Sequence, residues 1–172
     1  MINFDGDVPA SLPVGWEKGV TGRAFPWCVR SGTSIENGFV EVRFKALAGK
    51  EDQAGGVVWR WKDGDNYYVA RANALENNVS LYYTQGGRRI TIKYVDAPVP
   101  PKVWHTLRVE FTARRIGVAL NGKTYIDVQD DHLTAAGCKT AIALREAGFD
   151  AKYMKGGHSG WKAAGGPTRR AP

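Results

Sequence analysis

The sequence predicts an antiparallel two-sheet β-sandwich of the jelly-roll type, carrying a short α/β tail at its C-terminal end. Three observations predict it. Runs rich in Val, Ile, Tyr and Trp succeed one another from residue 27 to residue 130. Several alternate apolar and polar residues, the period of a strand with one buried face. Short turns join them, as in a sandwich or jelly roll.

Residues 1–34 hold short apolar pieces among turn residues and read as an extended, irregular opening with one short strand, "WCVR" at 27–30. "GFVEVRFKAL" (38–47) alternates Val40, Val42 and Phe44 against Phe39, Glu41 and Arg43, so one face is buried. "AGGVVWRW" (54–61) and "YYVARAN" (67–73) flank an Asp-Gly-Asp-Asn loop and form a hairpin. "VSLYYT" (79–84) and "RRITIKYV" (88–95) form a second hairpin around Gly86-Gly87. "APVPP" (97–101) is a loop, because proline cannot donate to a ladder. A meander comes next: 104–112, 114–121 and 123–130, with Asn121-Gly122 as its second turn.

The period changes at Gly137. "CKTAIALREAG" sets Ala141, Leu144 and Ala147 on one helical face, and Gly148 suits the position after a helix end. "DAKYM" (150–154) reads as a strand, and "SGWKAAGG" as a short helix starting at Ser159. The predicted organisation is therefore a sandwich over 1–136 and a helix-strand-helix segment over 137–172 that is not an independent domain.

The chain has 172 residues, 43% hydrophobic and 24% charged, enough for one core and a small appendage. Its charge of +7 sits mostly in the tail: residues 138–172 carry +5 and residues 1–137 only +2. Those tail charges are scattered and lack a platform of stacking aromatics, so no nucleic-acid partner is expected. No apolar run could cross a bilayer, so no membrane partner is expected either. Nothing near Met1 resembles a signal peptide, which leaves an intracellular chain or a mature form without its leader. Cys28 and Cys138 lie far apart and read as free thiols.

"NFDGDVPASLPVGW" (3–16), "GRAFPWCV" (22–29), the stretch from Ala54 to Tyr83, and "WHTLRVEFTARRIGVALNGKTYIDVQDDHLTAAG" (104–137) resemble the concanavalin A-like lectin/glucanase superfamily. The likeness is to its laminin-G-like form, and within it to domains of the 3-keto-disaccharide-hydrolase-like kind. The resemblance implies two stacked antiparallel sheets, one concave, with glycans held on the concave face or at its rim. It also implies a further strand after residue 137, pairing near the N-terminal strand, that the sequence does not supply in its usual form.

Three kinds of chemistry are conceivable on such a domain. A retaining glycosidase needs two carboxylates about 5–5.5 Å apart. The Glu-x-Asp-x-x-Glu pattern of the superfamily's glucanases is not found; Glu51-Asp52 and Asp130-Asp131 are adjacent and point apart on a strand. The chain therefore reads as a non-enzyme, with a glycoside-hydrolase-like activity as the alternative. Asp63 and Asp65 stand at the spacing of a calcium loop that lacks its terminal bidentate acid. No cofactor is expected, with calcium the one ion the spacing admits. Isolated His105, His132 and His158 have no zinc spacing.

Aromatic, Arg and Asn residues crowd between Trp59 and Tyr83, and that composition suits a saccharide. Aromatic rings stack on sugar C–H faces, while Arg and Asn meet the hydroxyls. Strict alternation groups Trp59, Trp61, Tyr67, Val69 and Arg71 against Arg60, Tyr68 and Ala70. With Val57 and Trp59 in the core, the expected ligand-binding residues are Arg60, Tyr68, Arg71, Asn73 and Tyr82.

"ALREAGFDAKYMKGGHSGWKAAGG" (143–166) is similar to the C-terminal end of a rhodanese domain. That family needs a loop of about half a dozen residues after its reactive cysteine to cradle the persulfide. Here "KTAIALREAG" comes directly after Cys138, so no working sulfurtransferase is expected. The segment begins where the sandwich lacks a strand. It is expected to patch that gap, with Tyr153, Met154 and Trp161 docking, or to make a homo-oligomer contact by strand exchange.

Overall fold

The computed structural model of the chain describes residues 2–3, 14–22, 25–30, 35–50, 52–133, 139–141 and 150–153. The strands are β1 (Ile2–Asn3), β2 (Trp16–Thr21), β3 (Phe25–Arg30), β4 (Gly38–Lys45), β5 (Ala54–Asp63), β6 (Asn66–Asn73) and β7 (Asn78–Gln85). They continue with β8 (Arg88–Asp96), β9 (Trp104–Thr112), β10 (Arg115–Leu120), β11 (Lys123–Gln129), β12 (Lys139–Ala141) and β13 (Asp150–Tyr153).

Six of them form one sheet in the order β1-β13-β4-β9-β10-β11, and five form a second in the order β12-β5-β6-β7-β8. Every pairing is antiparallel. The hairpin β2–β3 stands apart as a third, two-stranded sheet.

Apolar alternation builds the core. Val40, Val42 and Phe44 from β4, Leu107, Val109 and Phe111 from β9, and Ile116, Val118 and Leu120 from β10 face inward. They meet Val57 and Trp59 from β5, Tyr68, Ala70 and Ala72 from β6, and Val79, Leu81 and Tyr83 from β7. Positive φ at Asn121 (51°) and Gly122 (83°) gives the tight β10–β11 turn that the Asn-Gly pair predicts.

Strands β5, β6 and β7 of the five-stranded sheet are buried on both faces. On its outer side Val58, Trp61, Tyr67, Val69 and Tyr82 form a second cluster with Val29 of the β2–β3 hairpin, and Trp27 packs against it. Thr21 ties that hairpin down, its hydroxyl 2.9 Å from the Tyr67 hydroxyl.

Two strands come from the tail. β13 pairs with β4 on one side and β1 on the other, Ala151 standing opposite both Val42 and Ile2. The position that the sequence leaves empty beside β4 is thus taken by residues 150–153. β12 pairs with β5, Lys139 opposite Trp61. Residues 139–141 are therefore strand and not the first turn of the predicted helix. Helical periodicity is a weak prior, and an edge strand offering a row of free N–H and C=O groups overrides it. The rest of that predicted helix, the helix from Ser159, Cys138, His158, Met154 and Trp161 lie outside the described residues.

Candidate functional site

A bulge in β5 decides which side chains reach the outer face. Arg60 has φ of 47°, and the β5–β6 register shifts between Trp59 and Asp63. Between those two pairs β5 takes four steps where β6 takes two, so two extra residues are accommodated and strict alternation is broken locally. Trp59 therefore points inward, opposite Tyr68 and stacked on it at 5.3 Å, while Trp61 turns outward onto Tyr67 at 5.0 Å. Strict alternation, which places Trp59 and Trp61 together, fails here for that reason.

Two expected site residues are corrected, Arg60 by the bulge and Tyr68 by the regular alternation of β6, which sets it opposite Trp59 and Tyr83. Arg60 is 3% exposed and Tyr68 0%. Arg60 donates to the carbonyls of Ala113 and Leu133, with its guanidinium 5.8 Å from the rings of both Tyr68 and Phe111. The Tyr68 hydroxyl donates to Asp130 and accepts from the Leu133 amide at 3.1 Å. Burial first, then the Asp130 bond, raises its pKa well above the usual phenol value. Asp130 also binds His132 Nδ1 at 2.8 Å, and that ring stacks on Tyr83 at 4.0 Å. Both expected residues thus lock the interior to the end of the body rather than facing a ligand.

Arg71, Asn73 and Tyr82 do come together on the outer face. Ladder register places Arg71 opposite Ser80, Asn73 opposite Asn78, and Val69 opposite Tyr82. Arg71 Nη1 meets Asp52 Oδ2 at 2.5 Å and Nη2 lies 3.6 Å from Glu76 Oε2. Its guanidinium stands 5.6 Å from the Tyr82 ring. Burial opposes the Arg71 charge, but Tyr82, Asp52 and Glu76 outweigh it and the proton is held more firmly than in water. Asn78 donates to Glu76 at 2.8 Å and to the Tyr94 hydroxyl at 2.6 Å. At the other end of the face Arg89 lies over Phe25 at 3.5 Å and near Tyr82 at 5.4 Å. Burial loosens its proton, against the pull of Tyr67.

Much of this polar layer is buried without partners. Asp52 Oδ1, Arg71 Nε, Asn73 Nδ2, Asn78 Oδ1, Ser80 Oγ, Thr84 Oγ1 and Arg89 Nε are covered and make no hydrogen bond. Orphaned buried polar atoms are rare and costly, and seven of them gather on this face. Sequence reasoning missed Asp52, Glu76, Asn78, Ser80, Thr84 and Arg89. The alternation of Asn78, Ser80, Tyr82 and Thr84 along β7 was the signal, because it gives one strand a polar row on a single face.

Asp63 forms a turn: its Oδ1 accepts from the Asp65 amide and from Asn66 Nδ2, both at 2.8 Å. Among the described residues no cluster of three or more His, Cys, Asp or Glu could hold a metal. Cys28 is a free thiol packed against the core. Burial pushes its pKa up to about 11, against the opposing pull of Lys18.

The two sheets make the chain an antiparallel β-sandwich of the jelly-roll type. Residues 27–155 match the family described as the 3-keto-alpha-glucoside-1,2-lyase-like domain, about three quarters of the chain, and the chain belongs to it. No curated protein matches. Among solved structures it is similar to the carbohydrate-binding module CBM66 from Bacillus subtilis, at 19% identity and a TM-score of 0.66, over 80% of this chain and 92% of that one. It is also similar to a variant of human galectin-16, at 14% identity and 0.58, over 72% and 92%. Galectin LEC-6 of Caenorhabditis elegans is similar at 18% and 0.50, over 69% and 82%. At these identities the likeness establishes the antiparallel sandwich fold.

Proposed function

We propose that the chain is a non-catalytic carbohydrate-binding sandwich. It holds its saccharide on the outer face of the five-stranded sheet. Arg71, Asp52 and Glu76 contribute to that face as its partly exposed members, with Tyr82 beside them, while Asn73, Asn78, Ser80 and Thr84 are fully buried behind them and act through water. The observation that carries this reading is the group of buried hydroxyl, amide and carboxylate atoms left without partners there. A saccharide offers many hydroxyls, each both donor and acceptor, and those hydroxyls or the waters they bring complete such groups. The fold shared with a carbohydrate-binding module supports the reading. A glycan array followed by calorimetry tests it. Specific binding that falls at least tenfold in Arg71→Ala and Asn73→Ala, with unchanged thermal unfolding, is expected. An array with no saccharide bound sinks the reading.

A second reading comes from the family. A lyase acting at C1–C2 beside a C3 ketone removes the C2 proton and expels the group at C1. Asp52 and Glu76, both held on Arg71, are the carboxylates this face offers as base. Incubation with a 3-keto-α-glucoside would then release the C1 group and leave a 1,2-unsaturated sugar, and Asp52→Asn or Glu76→Gln would abolish it. Recovery of intact substrate removes this reading. The tail, on either reading, is proposed to serve the sandwich and not as a domain of its own.

A further inference from the structure

The two guanidinium groups beside Tyr82 differ in one respect. Arg71 is neutralised by Asp52 and Glu76. Arg89, on the other side of the same ring, has no carboxylate partner among the described residues. It lies on Phe25 and near Tyr82 and has the neutral Tyr67 hydroxyl as its hydrogen-bond partner, while its Nε is buried with no acceptor. Thr84, opposite Arg89 in the ladder, is 0% exposed and its hydroxyl is also unpartnered. A partly buried cation beside an idle hydroxyl donor is an incomplete anion site, since a buried charge left unpaired is strongly destabilising.

We propose that this end of the face receives an anionic group, a carboxylate or sulfate, carried by an acidic saccharide. The inference rests on the carbohydrate-binding reading and deepens it. Arg89 donates to the anion in the forked geometry that guanidinium presents to carboxylate and sulfate oxygens. Thr84 supplies a further O–H donor. Arg71, already paired with two carboxylates, is left to meet hydroxyls. The ring of Phe25, 3.5 Å from the guanidinium carbon, holds Arg89 in place on the face.

The test is calorimetric titration of the full chain with three probes on one backbone. These are a uronic-acid oligosaccharide, its carboxyl-reduced neutral form, and a sulfated form of that neutral chain. At least one acidic probe is expected to bind at least tenfold tighter than the neutral one, with the margin shrinking as salt rises. Arg89→Gln is expected to bring the acidic probes to the neutral level, and Arg89→Lys to retain part of the preference. Thermal unfolding confirms that each variant is folded. Tighter binding of the carboxylated probe assigns a uronate, and of the sulfated probe a sulfate ester. Equal binding of acidic and neutral probes overturns the anion site and leaves the carbohydrate-binding reading standing. No binding of any probe overturns both.

Discussion

The two sheets turn opposite kinds of polar surface outward. On β4, β9, β10 and β11 of the six-stranded sheet the outward residues are partly or fully exposed and the charges pair there: Arg108 with Glu41 and Glu110, and Arg115 with Asp127. Arg115 and Asp127 are 71% and 48% exposed. On the five-stranded sheet β5, β6 and β7 are buried on both faces, and the outward polar atoms are covered and largely unpartnered. Polar residues on a strand face therefore do not by themselves mark a site. Solvated ion pairs contribute little and ask for nothing. Covered donors and acceptors without partners cost stability, and they persist where a ligand completes them.

The largest effect should come from treating the two outer faces alike. Tyr67→Ala removes a side chain 1% exposed and should cost about 3–5 kcal/mol, as in a core, by urea denaturation. Phe39→Ala, on the other sheet's outer face under the Arg108 guanidinium, should cost only about 1 kcal/mol. Equal losses would erase the distinction between the faces. Next, Arg71→Ala should lower saccharide affinity at least tenfold, while Arg108→Ala leaves affinity unchanged in the same titration.

A smaller effect distinguishes orphaned from paired polar atoms. Ser80→Ala removes an unpartnered hydroxyl and should leave stability unchanged or raise it by up to about 1 kcal/mol, while weakening binding. Destabilisation by that change would show that the hydroxyl has a structural partner. The pH response bears on burial in the same way. Folding favours the neutral Cys28 thiol, whose pKa rises from 9.0 to about 11. The stability it contributes is therefore present below pH 9 and lost as pH rises toward 11. Tyr68, raised in the same direction, adds to the loss at higher pH. The urea midpoint should fall over that range, and less steeply in Cys28→Ala. Smallest of all, Arg115→Ala on the solvated face should shift neither the midpoint nor binding.

Particular residues show how far the sequence could be read. The alternation of Val40, Val42 and Phe44 put β4 in a sheet with one face inward, and β9 came out at residues 104–112 as predicted. Of the expected ligand residues, Arg71, Asn73 and Tyr82 share the outer face, because β6 and β7 run in regular alternation. Arg60 does not, because the bulge there breaks the phase, and Tyr68 does not, because the same alternation along β6 sets it inward between Trp59 and Tyr83. Asp52 escaped notice because it meets Arg71 across the sheet edge, and Arg89 because the ring that covers it, Phe25, is distant in sequence.

Pattern alone was enough for the sandwich: apolar residues at every second position, with turn residues between, have few other ways to bury themselves. The covering of the five-stranded sheet depended instead on contacts between segments distant in the chain. Hairpin β2–β3 folds over that sheet and buries Tyr67, Tyr82 and Trp61, which a two-sheet reading leaves to solvent. The tail obeys the same logic. Strands β12 and β13 pair with β5 and β4, one in each sheet; β13 falls where a strand is predicted, while at β12 the unpaired backbone groups of the edge outweigh a helical preference too weak to stand alone.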